Sequence, residues 1–244
     1  MSGKEFSLTQ GRKSDKLYCD DLCKLKGINL FRLLRRTVMK GRFIVFEGID
    51  GAGKSTQMEK LRQKLISEGR KVFITAEPTA SVTGGILRDA LAGNYKRSAS
   101  ELAAMFLSDR VYHNVNENTG ILQALEKGFD VISDRYYYSS FAYQGLDSDI
   151  DWVIDMNLNC PDIRKPDLCI FLDLDAQKSK SRIDTNRATI EIFEKEDVLN
   201  KIRSKFFDVF DRLKDENIAI IDASGTIDEV AEKIAQVVDT LKED

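Results

Sequence analysis

The stretch FEGIDGAGKST at residues 46–56 decides the fold of this chain. Its glycines Gly48, Gly51 and Gly53 can take backbone angles that other residues resist, so that successive N–H groups can line a concave nest. The helix predicted to follow adds its own unpaired N–H groups and the positive end of its dipole, which favour a polyanion. Glycine, four residues and then Gly-Lys-Ser form the complete phosphate-loop pattern, which predicts binding of a nucleoside triphosphate.

The segments on either side of the loop support this interpretation. Residues 42–47, RFIVFE, have the apolar run of a short buried strand, and the apolar side chains of residues 54–68 fall on one face of a helix. In a phosphate loop, Lys54 would reach the outer phosphates and the Ser55 hydroxyl would hold Mg²⁺. A glycine-rich turn with a chance lysine is the alternative, and the length and setting of the pattern argue against it. The residues predicted to bind ATP are Gly48, Ile49, Asp50, Gly51, Ala52, Gly53, Lys54, Ser55 and Thr56.

The composition limits the classes of function that the chain can have. Its 244 residues suffice for one sizeable α/β domain, and a net charge of −3 does not suit a protein built to bind nucleic acid. No apolar run approaches the length of a membrane span. The cysteines and the single His113 lack the spacing of a zinc site, and Cys160 and Cys169 are predicted to be reduced, buried thiols. We therefore expect a cytoplasmic protein with no nucleic-acid partner and no membrane association.

The chain divides into two parts of different character. Residues 1–40 are rich in Lys and Arg and have no strand pattern, which predicts a poorly ordered basic extension. The alternative is a membrane-surface or targeting helix within this extension, and acidic residues such as Asp15 and Asp20 weaken that interpretation. Residues 41–244 alternate strands with helices, which predicts a parallel sheet that is covered on both faces.

The predicted elements place the ligand at one edge of this sheet. Ligands of such sheets bind at the carboxyl ends of the strands, so the residues directly after each strand are candidates for the site. Strands are predicted at 42–47, 71–75, 129–133, 168–172 and 218–221. Helices are predicted at 54–68, 84–92, 99–116, 119–127, 149–158, 176–183, 192–214 and 227–241.

The most informative pair of residues follows the third strand. Asp134 stands where a carboxylate can hold Mg²⁺ directly or through water, and Arg135 offers a planar fork for a phosphate group. A surface ion pair is the alternative for these two residues. Further along, Tyr143 and Gln144 could line a base pocket, whereas the tyrosines at 136–138 could merely pack against the sheet.

Two further segments could contribute to the same site. Phe106 and Arg110 lie four residues apart on one predicted helical face, where a phenyl ring could stack on a base and an arginine could bond its edge. A core phenylalanine with an exposed arginine is the alternative. Residues 178–187, KSKSRIDTNR, are strongly basic, which favours either a solvated face or a lid at about residues 178–190 that neutralises charge during phosphoryl transfer.

Together these motifs resemble those of the thymidylate kinase family. The matching stretches occur in the family's order and are FEGIDGAGKSTQ, EPT, FLSDR, DRYYYSSFAYQG, RKPDLCIFLDL and RIDTNRATIEIFE. They cover essentially all of residues 41–244 as one P-loop kinase domain, and they most resemble archaeal and bacterial members that have a glycine-containing phosphate loop and lid arginines. The resemblance implies the nucleoside monophosphate kinase fold, with a five-stranded parallel sheet and helices on both faces. It also implies transfer of the γ-phosphoryl group of ATP to dTMP with Mg²⁺, in a family that is usually homodimeric.

The resemblance implies roles for the residues around the base and sugar. Phe106 would stack on thymine, and Arg110 would bond the edge of the base. Tyr143 would crowd the 2′ position of the sugar and so favour deoxyribose. Ser140 and Gln144 would line the base pocket.

Around the phosphates, the resemblance implies a second group of residues. Arg135 would hold the acceptor phosphate, and Asp50 would lie near the sugar 3′-hydroxyl and the metal. Glu77 and Pro78 would belong to the substrate-binding loop, with a cis peptide bond before Pro78. The residues implied in catalysis are Lys54, Asp50, Arg135, Arg182 and Arg187, and those implied in metal binding are Ser55 and Asp134.

One position departs from the pattern of the family. Ala76 stands where the family usually has an arginine or lysine that reaches the acceptor phosphate. Either Arg135 and Arg110 suffice, or another cation such as Arg88 takes its place, or the acceptor differs. A kinase for another nucleoside monophosphate is therefore the main alternative. A nucleotide-dependent switch protein is less favoured, because the nearest match to its guanine-reading motif, RKPD at 164–167, begins with arginine and precedes its strand.

Overall fold

The computed structural model describes residues 40–186 and 196–241, with the side chains of residues 182–186 outside that description. Residues 1–39 of the predicted basic extension at 1–40 lie outside the described residues, as does the end of the predicted lid at 187–190. Within the described ranges, no helix combines the length and the apolar character needed to cross a bilayer.

The described residues build the predicted α/β architecture around one parallel sheet. The strands are β1 (Phe43–Glu47), β2 (Lys71–Ala76), β3 (Phe129–Asp134), β4 (Leu168–Asp173) and β5 (Ile218–Asp222). Their order in the sheet is β2-β3-β1-β4-β5, and every neighbouring pair is parallel. All five predicted strands are confirmed, each to within about one residue at either end.

The position of a strand in the sheet explains its pattern of burial. Every residue of β1 is buried, as are the first five residues of β4, because helices cover both faces of a parallel sheet. β2 and β5 form the two edges and keep exposed residues. In the register of the sheet, Phe46 pairs with Asp134 and Glu47 pairs with Phe171, so the carboxyl ends of β1, β3 and β4 lie side by side.

The helices lie on the two faces of this sheet. They are α1 (Lys54–Ser67), α2 (Val82–Leu91), α3 (Ala99–Val115), α4 (Ile121–Glu126), α5 (Tyr137–Tyr143), α6 (Ile150–Leu158), α7 (Ala176–Asn186), α8 (Glu196–Arg212) and α9 (Ile227–Asp239). The connection from β1 to β2 runs along the sheet in the opposite direction to the later connections. Right-handed crossovers therefore put α1 on the face opposite to the other connecting helices. α9 packs against α1, and α8 packs against α5 on the other face.

Polar caps explain where several helices begin. Ser98 and Glu101 form a reciprocal capping box at the start of α3, and α9 begins with the same motif. α2 begins at Val82, two residues earlier than predicted, because Ser81 caps it by accepting a hydrogen bond from the N–H of Gly84.

The helix α5 was missed in the sequence. It follows β3 directly and continues as a short 3₁₀ turn at Gln144–Leu146, where the sequence predicted only the polar residues of a strand end. Residues 136–138 are buried, and the ring of Tyr136 packs edge-on against Phe43 at 5.0 Å. These tyrosines therefore pack against the sheet, as one interpretation of the sequence predicted.

Two smaller predictions need correction. The helix predicted at 119–127 is shorter, because the side chain of Asn116 closes a turn by accepting hydrogen bonds from two of the next three N–H groups. Cys169 is buried as predicted, but Cys160 is only partly buried. The prediction for Cys160 was wrong because this residue lies in the connection after α6 rather than in a strand.

Candidate active site

The phosphate loop joins β1 to α1 at the predicted residues. Gly48, Gly51 and Gly53 have φ angles of 142°, 78° and 97°, all in the region that favours glycine. A Cβ atom at Gly48 would lie 2.8 Å from a carbonyl oxygen of β4, so this position needs glycine for space as well as for its backbone. Lys54 begins α1, and its buried Nζ donates to the carbonyl oxygens of Gly48 at 3.1 Å and Ile49 at 3.3 Å.

The surroundings of Lys54 disfavour its charged form, so a bound anion would stabilise it. Burial, and then the nearby Arg135, lower the pKa of Lys54 below its ordinary value, while three neighbouring carboxylates act in the opposite direction. Ser55 and Thr56 are exposed in the first turn of α1, next to the lysine. A polyphosphate bound at this helix start would offset the cost of burying the ammonium group.

Arg135 has a strained backbone at the end of β3. Its φ of 68° is a left-handed value that few residues other than glycine adopt, and its N–H donates to Phe46 O at 2.9 Å. The guanidinium donates to Asp50 Oδ1 at 2.7 Å and to Ser139 Oγ at 3.0 Å. Its central carbon lies 5.1 Å from the centre of the Tyr143 ring. The fold thus brings together three predicted site residues, Asp50, Arg135 and Tyr143.

A buried carboxylate that the sequence did not identify supports this arrangement. Glu47 Oε1 accepts hydrogen bonds from the N–H groups of Tyr136 at 2.9 Å and Ser139 at 3.0 Å. Ser139 Oγ donates to the other carboxylate oxygen at 2.7 Å. Burial raises the pKa of Glu47 from 4.5 to about 7, although nearby positive charges and these hydrogen bonds oppose the rise. An acidic residue that ends an apolar strand is the sequence signal that could have identified it.

A cavity of about 580 Å³ opens beside the phosphate loop, and the two predicted magnesium ligands, Ser55 and Asp134, lie in its wall. Asp134 Oδ1 is buried and has no hydrogen-bond partner among the described residues. Residues 40–186 and 196–241 contain no group of three or more His, Cys, Asp or Glu that could hold a metal alone. One carboxylate and one hydroxyl fit Mg²⁺, which usually takes its other ligands from water and substrate phosphates.

The same cavity contains the position that departs from the family pattern. Ala76 and Arg88 both lie in its wall. Arg88 Nη1 donates to the carbonyl oxygens of Pro78 at 3.1 Å and Thr79 at 2.6 Å, which holds this exposed arginine against the loop after β2. The peptide bond between Glu77 and Pro78 is cis, as predicted. Arg88 therefore supplies a positive charge to the wall of this cavity, where Ala76 supplies none.

Asp109 fastens the loop after β2 to α3, a role that the sequence did not indicate. Its Oδ1 accepts hydrogen bonds from the hydroxyls of Thr79 at 2.7 Å, Ser81 at 3.0 Å and Thr83 at 2.6 Å. Its Oδ2 accepts from the Thr79 N–H at 2.7 Å. Burial acts to raise the pKa of Asp109, but these hydrogen bonds outweigh it and hold the pKa below its ordinary value.

Arg110 lies in the interior beside this loop. It is 1% exposed and binds Glu77 Oε2 through Nε at 2.9 Å and Nη2 at 2.6 Å. It also donates to Asn157 Oδ1 at 2.6 Å and to Ser140 Oγ at 3.1 Å. The alternative of an exposed arginine at this position is therefore wrong. The predicted residues Glu77, Arg110 and Ser140 form one buried cluster.

The remaining predicted residues differ in how far the structure describes them. Phe106 is partly exposed one turn before Arg110, and Gln144 is buried in the turn after α5. Ser179 Oγ donates to the carbonyl oxygen of Asp50, which joins α7 to the phosphate loop. Arg182 belongs to α7, but its side chain and the whole of Arg187 lie outside the described residues. The roles of these two arginines stay predictions.

Known proteins similar to this chain include members of one family of kinases. The family model described as thymidylate kinase matches residues 46–234. A probable thymidylate kinase of Pyrococcus horikoshii is 36% identical over 209 residues, which cover 82% of this chain and 97% of the relative. A thymidylate kinase of Thermosipho melanesiensis is 34% identical over 201 residues, covering 82% and 98%. One of Caldicellulosiruptor saccharolyticus is 35% identical over 210 residues, covering 83% and 98%.

Proposed function

The chain belongs to the thymidylate kinase family, and on that premise we propose that it transfers the γ-phosphoryl group of ATP to dTMP, giving dTDP and ADP. The observation that carries the proposal is a shared edge of the sheet. There the loop with Lys54 follows β1, and Arg135 follows β3 directly after Asp134. Glu77, which binds Arg110 of α3, follows β2, and these three strands are neighbours in the sheet. A triphosphate site next to an acceptor site is what direct transfer between two nucleotides requires.

On the donor side, Lys54 and the backbone N–H groups of the loop bind the phosphates of ATP. Lys54 Nζ donates to two loop carbonyl oxygens, and bonds to phosphate oxygens replace these when the nucleotide binds. The lysine then neutralises charge on the group that is transferred. Arg182 and Arg187 are proposed to add positive charge from the lid.

On the acceptor side, Arg135 holds the phosphate of dTMP. Asp50 and Ser139 already orient its guanidinium, so little side-chain entropy is lost when a phosphate binds. An oxygen of the dTMP phosphate attacks the γ-phosphorus, and the bond to the β-phosphate oxygen breaks with its electrons leaving on ADP. No nucleophile from the protein is required. Asp50 is proposed to lie near the sugar 3′-hydroxyl, and Tyr143 near the 2′ position.

Mg²⁺ is the proposed cofactor, with Ser55 and Asp134 as its protein contacts. Both residues lie in the wall of one cavity, and Asp134 Oδ1 is a buried oxygen without a partner in the described part of the chain. When bound, the cation would neutralise charge on the donor phosphates. The pairing of Asp134 with Phe46 between β3 and β1 holds this carboxylate beside the loop.

Arg110 is proposed to read the edge of the base. A guanidinium has five N–H donors. Within the described residues, Glu77 takes two of them, and Asn157 and Ser140 take one each. One Nη1–H is left, which suits a single carbonyl oxygen on a base such as thymine. Phe106, one turn earlier on α3, is proposed to stack on the same base.

An ADP-release assay across several acceptors tests the function. We expect dTMP to be phosphorylated faster than dUMP, dCMP, dGMP or AMP, each supplied at the same concentration with ATP and Mg²⁺. A Lys54→Met variant, whose turnover should fall by roughly 10²–10³ with every acceptor, shows that the activity belongs to this site. Faster turnover of another monophosphate would make the chain a kinase for that nucleotide, which is the main alternative.

A homodimer in the cytoplasm is also proposed. Large apolar side chains remain exposed on α2 and α3, two helices that pack against each other. They are Val82 and Ile86 on α2 and Tyr112 and Val115 on α3. A second copy of the chain would remove this apolar surface from water. The cytoplasmic location is supported by the free thiols of Cys160 and Cys169. Light scattering would contradict the dimer by giving the mass of one chain.

A further inference from the structure

His113 is buried in α3, one turn after Arg110. Its Nδ1 lies 3.0 Å from Glu77 Oε1, and its Nε2 lies 2.6 Å from Thr75 Oγ1. Glu77 accepts the two hydrogen bonds of Arg110 on its other oxygen, Oε2. Two residues of one helix therefore hold the two oxygens of a single buried carboxylate.

The carboxylate of Glu77 determines which nitrogen of His113 carries the proton. A carboxylate only accepts hydrogen bonds, so Nδ1 must be protonated and must donate to it. The Thr75 hydroxyl can donate to a bare Nε2 or accept from a protonated one. The bond from Nδ1 to Glu77 therefore has the same direction in both charge states of the ring.

Water has little access to replace this bond. Glu77 is 5% exposed and His113 is 3% exposed. The backbone of Glu77 is held separately, because its N–H donates to Asp134 O at 3.0 Å. The freedom that remains to Glu77 lies in its side chain. Among residues 40–186 and 196–241, His113 is the residue that binds the carboxylate oxygen not bound by Arg110.

We propose that His113 is a positioning residue for the acceptor base, acting through Glu77 and Arg110. By fixing the carboxylate, it fixes the plane of the guanidinium that Glu77 binds, and hence the direction of the remaining Nη1–H of Arg110. This inference rests on the proposed function, in which that donor reads the base. Without the Nδ1–H, Glu77 Oε1 loses its donor and the carboxylate can turn away from the geometry that orients Arg110.

Two substitutions separate the roles of the two ring nitrogens. The amide of His113→Asn reaches the place of Nδ1 and can still donate to Glu77, whereas that of His113→Gln reaches the place of Nε2 and keeps only the Thr75 contact. We expect the Asn variant to keep the KM for dTMP within about threefold of wild type. The Gln variant should raise it about tenfold or more, as for a lost hydrogen bond to a charged group. In both variants kcat and the KM for ATP should change little.

Stability should follow the opposite order, which separates positioning from packing. Asn is the smaller side chain and leaves the larger cavity, so His113→Asn should have the lower melting temperature. Thr75→Val is the matched control, because it removes the hydroxyl partner and leaves the bond to Glu77, and its KM for dTMP should stay near wild type. A purely packing role would raise the KM for dTMP most in the least stable variant, or raise both KM values together.

The inference and the proposed function can fail separately. If the wild-type protein prefers another monophosphate, the proposed function fails, and the variants are then compared on the preferred acceptor. If dTMP is the acceptor and the Asn and Gln variants have equal KM values for it, only the inference about His113 is wrong. A tenfold rise in the Thr75→Val control would also overturn it, because the important contact would then lie on Nε2.

Discussion

Among single residues, Lys54 is expected to stabilise charge on the transferred phosphoryl group, and two matched substitutions test this role. Lys54→Ala should lower kcat by roughly 10²–10³, as expected when one preorganised charge is removed from a developing transition state. Lys60→Ala is the control, because Lys60 lies on the same helix and its 2.8 Å bond to Asp228 is at the exposed surface. Circular dichroism should show both variants folded. A loss of less than about tenfold in a folded Lys54→Ala protein would contradict the role.

The cavity shared by Ala76 and Arg88 leads to a second prediction about single residues. Arg88→Met should raise the KM for dTMP by about tenfold, because we expect this arginine to supply the cation that position 76 lacks. Adding Ala76→Arg to Arg88→Met should recover most of that loss through a charge-assisted bond to the acceptor phosphate. Ala76→Arg alone should help less, since Arg88 already lines the same space. An unchanged KM for dTMP in Arg88→Met would show that Arg135 and Arg110 suffice.

Among the helices, α5 and α9 show when local sequence can predict an element. α9 has apolar residues at helical spacing and a capping box. Its own residues therefore predict both that it is a helix and where it begins. α5 has seven residues, of which the first six are buried, and no cap from its own chain segment. Its N–H groups are satisfied by Glu47 of β1, so the helix depends on a contact that no window of local sequence contains.

That dependence makes α5 the place for a prediction about pH. Because the pKa of Glu47 is raised to about 7, the folded protein binds this proton more tightly than the unfolded chain, whose value is near 4.5. Stability contributed by this group is therefore present below about pH 4.5 and falls as the pH rises to about 7, by at most about 3 kcal/mol. Glu47→Gln keeps an oxygen for the two N–H donors and removes the titration.

Urea unfolding at pH 5 and pH 8 measures this effect. The free energy of unfolding of Glu47→Gln, minus that of wild type, should be larger at pH 8 than at pH 5. Glu59→Gln, a change at an exposed position of α1, is the control and should show little dependence on pH. If the difference for Glu47→Gln were the same at both pH values, the titration of Glu47 would not be coupled to folding.

For the whole molecule, the sequence predicted the sheet better than the contacts around the site. Buried parallel strands are apolar runs between turn signals, so all five could be located. The meeting of Asp50 with Arg135 could also be predicted, because both follow strands whose carboxyl ends share one edge. The bonds of Glu47 to Ser139 and of His113 to Glu77 could not be predicted, because Ser139 and His113 lie within helices. The order of the strands does not determine which residue of a helix faces a given strand end.

The boundary of the domain leads to the last prediction. Near the start of the described residues, Arg42 donates to Asp130 from its backbone N–H at 3.0 Å and from Nη2 at 2.7 Å. Arg70 Nη2 donates to the same carboxylate at 2.7 Å and to Lys40 O at 3.2 Å. These bonds anchor the chain at residue 40 to the beginning of β3, using only residues of the domain itself.

We therefore expect a chain that begins at Met39 to keep its melting temperature within about 2 °C and its kcat/KM for dTMP unchanged. Asp130→Asn in the full chain is the control for the anchor. It leaves two arginines beside a neutral side chain in a buried setting, and it should lower the melting temperature by roughly 10 °C. A large loss of stability or activity in the shortened chain, with Asp130→Asn behaving as expected, would mean that residues 1–38 contribute to the fold or the site. The domain would then not be complete from residue 40 onward, even with its anchor intact.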